Sequence, residues 1–155
     1  MTTTDQTIET LNDLVRINND RIQGYQRAAD ETENTDADLK QLFRKMSDES
    51  YTYKLELEQK IDSLGGEVAT GTTVSGKIYR AWMDVKNTFS GHNRKSILAS
   101  CEYGEDKAQE AYKAALETDA ELDSDTRKLI ARQKASLKDS HDLIKRSRDM
   151  QQSVS

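Results

Sequence analysis

"GEVATGTTVSGKIYRAWMDVKNTFSG", residues 66–91, is the stretch on which the reading of the fold turns. It opens rich in glycine and threonine, then spaces Ile78, Trp82, Val85 and Phe89 by three and four residues. That spacing predicts a short amphipathic helix over 76–89. On either side stand pairs of longer helical patterns, over 7–31 and 36–64 before it and over 93–117 and 124–150 after it. Within each pair the link is short and polar, "ENTD" and "ETDAELD", and short links make consecutive helices antiparallel neighbours. A helix of 25 residues is about 37 Å long, and a connection over 65–92 can cross that distance. The expectation is therefore all-α: one domain over 1–155, built of two antiparallel hairpins joined by a long crossover that carries a short extra helix.

The long helices declare themselves by their seams. Ile8, Leu11, Val15, Asn18, Ile22, Tyr25 and Ala29 mark the first, with one polar member at Asn18. Leu39, Phe43, Met46, Ser50, Tyr53, Leu57, Ile61 and Leu64 share one face of the second. Thr35 with Asp38 resembles a capping box at its start, and the glycine pair at 65–66 ends it. The third seam runs Leu98, Cys101, Glu105, Ala108, Tyr112 and Ala115. The fourth runs Ile130, Gln133, Leu137 and Ile144, with Ser140 and His141 competing for the place between, and Asp123 or Ser124 as cap.

Composition narrows the function classes. There is no proline, a third of the residues are charged, and the mean hydropathy is -0.90. This suits helices with one apolar stripe and a charged outer face. A formal charge of -5 argues against nucleic-acid binding, which needs a concentrated cationic surface. The basic clusters "HNRK" (92–95) and "KRSR" (145–148) read as solvated helix ends. No apolar run is long enough to span a membrane. Cys101 is the sole cysteine and reads as a small buried residue rather than a nucleophile. The start "MTTTDQTIETL" lacks the features of a secretory signal, so a cytoplasmic protein is expected. "LGGE" ends a helix, whereas phosphate-binding loops begin one.

Register brings the polar seam members together. If the first hairpin turns near residue 34, Asn18 and Ser50 stand at one level. If the second turns near 120, Glu105 lies within about a turn of Gln133, and His141 lies somewhat farther on the other side. A mid-bundle polar layer of Asn18, Ser50, Glu105 and Gln133 follows, with Glu49 and Glu102 at its flanks. A lone ionised carboxylate in a dry core is costly, so Glu105 must be paired, hydrogen-bonded, hydrated, protonated or metal-bound.

Two readings compete for that layer. In one, it is a hydrogen-bonded device that fixes register and orientation. In the other, Glu49, Glu102, Glu105 and His141 hold iron or manganese, since carboxylates and imidazole suit such ions. Bundles of that kind use Glu-x-x-His pairs. Here Thr52 follows Glu49 by three residues and Lys138 precedes His141 by three, so the pairs are missing.

The runs "NDRIQGYQRAADE", "LEQKIDSLGGE", "GKIYRAWMDVKNTFSG", "ILASCEYGEDKAQEAYKAAL" and "RQKASLKDSHDLIKRSRD" resemble an uncharacterised bacterial family of ferritin-like four-helix bundles. The resemblance spans about residues 8–150 and rests on the combination of "RAW" in the crossover with "GED" in the third helix. It implies a ferritin-like bundle with a crossover helix, and it marks Glu56, Glu102, Glu105, Gln133 and His141 as matching positions. It implies no settled activity. The expected function is a non-catalytic binding or stress-associated module, with homo-oligomerisation a candidate use of residual apolar faces. The alternative is a metal-storage or oxidoreductase bundle of di-iron or di-manganese type. A third use, docking of a protein through Trp82 and Phe89, depends on their exposure.

Overall fold

Helix α1 spans Thr3–Glu31, α2 Ala37–Ser63, α3 Arg94–Leu116 and α4 Ser124–Val154. The structure, a computed structural model, describes residues 2–32, 36–69, 94–118 and 121–154. The expected crossover helix over 76–89, with Trp82 and Phe89, lies outside the described residues.

Local chemistry sets the helix ends. α1 begins earlier than its apolar spacing suggests because Thr2 and Asp5 close a capping box: Asp5 N–H donates to Thr2 Oγ1 at 3.1 Å, and Thr2 N–H to Asp5 Oδ2 at 3.2 Å. At α2 the cap position falls on Asp36, without a side-chain cap bond; Thr35, the expected cap, is outside the described residues. α2 ends as its glycine pair implies. Gly65 adopts φ +77°, its N–H reaches Asp62 O at 3.0 Å, and Gly66 N–H reaches Ile61 O at 3.0 Å. These two bonds are those of the Schellman motif. Asp123 caps α4, accepting Thr126 N–H at 2.7 Å.

α1 packs along α2 and α3 along α4, while α1 also meets α3 and α2 meets α4. The apolar residues separate into two clusters along the bundle. One joins Leu11, Leu14 and Ile17 of α1 to Leu57 and Ile61 of α2, Ala111 and Ala115 of α3, and Ile130 of α4. The other joins Tyr25 and Ala28 of α1 to Leu39 and Phe43 of α2, Ile97 and Leu98 of α3, and Ile144 of α4. Low numbers on α1 thus meet high numbers on α2 and α3, so both run antiparallel to α1, and α4 runs parallel to it. The end of α2 and the start of α3 lie in different clusters, at opposite ends of the bundle. The chain between them therefore crosses the bundle's length. This is the ferritin-like arrangement of two hairpins with one long crossover. Among the described residues, no helix is long and apolar enough to cross a membrane.

Candidate functional site

Between the two apolar clusters the seams turn polar, and Asn18, Ser50, Glu105 and Gln133 are all fully buried. A fifth member was not legible from apolar spacing. Arg21, one turn beyond Asn18 on α1, is the largest fully buried side chain of the described residues. The seam steps from Asn18 through Arg21 to Tyr25, while Ile22, read as the seam residue, is only half-buried.

The Arg21 guanidinium is surrounded by acceptors. Nε donates to Glu105 Oε1 at 2.9 Å, and Nη2 stands 2.8 Å from the same oxygen. Nη1 donates to Ser50 Oγ at 2.6 Å and to Met46 O at 3.0 Å, and Nη2 also reaches Met46 Sδ at 3.5 Å. Its Cζ lies 5.0 Å from the centre of the Tyr25 ring. Arginine brings five donors in a rigid fork, and here the fork spans α2 and α3 from α1. Tyr25 O–H donates to Glu105 Oε1 as well. Glu105 Oε2 is buried with no hydrogen-bond partner among the described residues.

Charge and burial act together on the neighbours. Burial works against the Arg21 cation, but the adjacent Glu105 carboxylate outweighs it and keeps Arg21 protonated. Burial pushes the Tyr25 hydroxyl well above the ordinary tyrosine value, and the Glu105 charge adds to the shift. The Cys101 thiol is raised for the same two reasons, in the same order, which removes it as a nucleophile at neutral pH.

Gln133 belongs to a second chain of bonds. Asn18 Nδ2 donates to Tyr112 Oη at 2.9 Å, and Tyr112 O–H donates to Gln133 Oε1 at 2.7 Å. Gln133 Nε2 then donates to Tyr53 O at 3.1 Å and Glu56 Oε1 at 3.2 Å. Glu56 is also held by Arg132 at 2.8 Å. Each polar seam residue thereby ties its helix to another.

The four residues read as metal ligands go to separate partners. Glu105 takes Arg21. Glu49 accepts Ser140 Oγ at 2.9 Å, and Ser140, not His141, holds the buried place on α4. Glu102 pairs with Arg148. His141 turns to the flank of the bundle, with Nε2 2.5 Å from Asp106 Oδ1 and Nδ1 3.1 Å from Asp142 Oδ1. Burial lowers its pKa and the two carboxylates raise it, with a net rise. Among the described residues, Glu102, Asp106 and His141 bring ligand atoms within 4.8 Å of one another. Glu49 and Glu105 are not in that set.

A family model described as "Domain of unknown function (DUF2383)" matches residues 6–118. The chain belongs to this family. No curated protein matches the chain. Two solved structures similar to this DUF2383 chain share its fold. A mutant of Mycobacterium smegmatis Dps1 has a TM-score of 0.79 at 11% identity, covering 96% of this chain and 99% of that one. One described as "ferritin like, diiron-carboxylate proteins" from Bacillus anthracis str. Ames has a TM-score of 0.67 at 17% identity, covering 97% and 99%.

The interior of this chain does not suit a di-iron centre of the kind named in the description of the second of those structures. Two clustered cations need several converging anionic oxygens, whereas Glu105, the fully buried carboxylate of the layer, already lies against a guanidinium. Its remaining oxygen is a single donor, and a metal ion there would share a dry core with the Arg21 charge.

Proposed function

We propose that this DUF2383 protein is a non-catalytic ferritin-like module whose polar layer serves to hold the bundle together and whose function lies in binding through its outer surface. The observation that carries this reading is the fully buried Arg21 guanidinium, bonded to Glu105, Ser50 and the Met46 carbonyl. It places a permanent positive charge against the carboxylate that a core metal centre would require. Self-association and a cytoplasmic setting belong to the same reading. Tyr51 and Leu55, one turn apart on α2 and 54% and 42% exposed, are apolar surface that a second copy of the chain would cover.

Iron oxidation tests the reading directly. Fe2+ added anaerobically and then exposed to air should oxidise no faster with the protein than with buffer, as followed by the absorbance of ferric products. Accelerated oxidation that disappears in Glu105→Gln would overturn it.

A further inference from the structure

The set Glu102, Asp106 and His141 lies on the outer side of α3 and α4, apart from the layer that holds Glu105. Glu102 and Asp106 are four residues apart on α3 and so share one face of that helix. His141 projects to them from α4, and its Nε2 is 2.5 Å from Asp106 Oδ1. One ligand atom from each residue falls within 4.8 Å of the others. Two ligands about 2.1 Å from a tetrahedral ion stand about 3.4 Å apart. Closing the widest of the three separations by up to about 1.4 Å, within the reach of side-chain torsions, therefore brings them onto one ion.

A second feature points the same way. The other ring nitrogen, Nδ1, is held by Asp142 Oδ1 at 3.1 Å. A carboxylate on the far nitrogen of a ligating histidine fixes its tautomer and aims the lone pair of Nε2 at the ion. The Asp106 side chain is 51% exposed and that of His141 18%, so an ion can enter from solvent. Arg148 already places a cation on Glu102 and has an alternative partner in Asp149, 2.9 Å from its Nη2. It can release Glu102 without losing its ion pair.

We infer that Glu102, Asp106 and His141 form a mononuclear site for a divalent first-row cation of the zinc type, with Asp142 orienting the histidine and Arg148 competing for Glu102. Two carboxylates and a neutral imidazole are a donor set suited to Zn2+, and three protein ligands leave a fourth position for water. The ion would clamp α3 to α4 near the middle of the second hairpin. This inference is independent of the core reading, because Glu105 is not a ligand.

Calorimetric titration of the untagged full chain with Zn2+ tests it. The expected result is one equivalent bound, with His141→Ala weaker by at least about ten-fold and Arg148→Ala tighter by several-fold. Bound Zn2+ should also raise the melting temperature of the wild type, by mass action on the folded state, and raise that of His141→Ala less at the same Zn2+ concentration. The chain has two histidines, and His92→Ala should bind like the wild type. A titration without a one-equivalent site would overturn the inference, as would His141→Ala binding like the wild type or Zn2+ binding lost in His92→Ala. Arg148→Ala binding no tighter would overturn the competition at Glu102.

Discussion

Removing the charge of Arg21 leaves the Glu105 carboxylate buried with Tyr25 as its remaining hydrogen-bond partner among the described residues. Breaking one side of such a buried pair costs about 3–5 kcal/mol, whereas replacing both members with apolar groups of similar size is often close to neutral. Arg21→Met and Glu105→Leu should each lower the unfolding free energy in urea by that amount, and the double variant should lose less than either. Single variants within about 1 kcal/mol of wild type would contradict this account. The hydroxyls of Tyr25 and Tyr112 are both raised, chiefly by burial. The folded chain keeps protons that the unfolded chain begins to lose near the ordinary tyrosine value of about 10. Their contribution is complete below that pH and declines as pH rises towards the folded values. Urea midpoints should accordingly fall between about pH 9.5 and 11, and less steeply in Tyr25→Phe. At this scale Asn18, Ser50, Glu105 and Gln133 were legible as polar breaks in apolar seams, whereas the choice between Ser140 and His141 was not. Arg21 was illegible, because apolar spacing favours Ile22 and only the need of Glu105 for a cation draws the arginine inward.

At the scale of the element, helix ends follow from two- and three-residue signals. Gly65 is the left-handed residue of the Schellman motif that closes α2. A β-carbon there costs about 1–2 kcal/mol, so Gly65→Ala should lower stability by that amount in urea denaturation, whereas Gly24→Ala, inside α1 with open space around it, should not. Gly66 is constrained differently, since an added β-carbon would come within 2.7 Å of Ile8 Cδ1. The glycine pair and Asp123 announced these ends in sequence. The capping box at Thr2 was missed because it precedes the first apolar residue of the seam, where periodicity has nothing to count.

Across the whole molecule, the polar layer divides the apolar interior into two clusters that share all four helices. Leu14→Ala in one cluster and Phe43→Ala in the other should each cost about 2–5 kcal/mol. Their effects should add within about 0.5 kcal/mol, as for sites with no shared partners; strong coupling in a double-mutant cycle would mean that the division is not energetic. The length of the connection made the architecture legible, since only a chain that crosses the bundle can join the end of α2 to the start of α3. The outer-face cluster was only partly legible: Glu102 and His141 were readable as metal-ligating types, but Asp106 joins them only once α3 and α4 are paired. A further consequence concerns sliding. α1 and α3 belong to different hairpins, and moving one past the other by a helical turn, about 5.4 Å, would bring Arg21 level with Cys101 or Ala108. Neither can accept the charge, and Glu105 would lose its guanidinium at the same moment. Two wholly greasy hairpins could creep along each other at little cost; this pair has a single notch in which to rest.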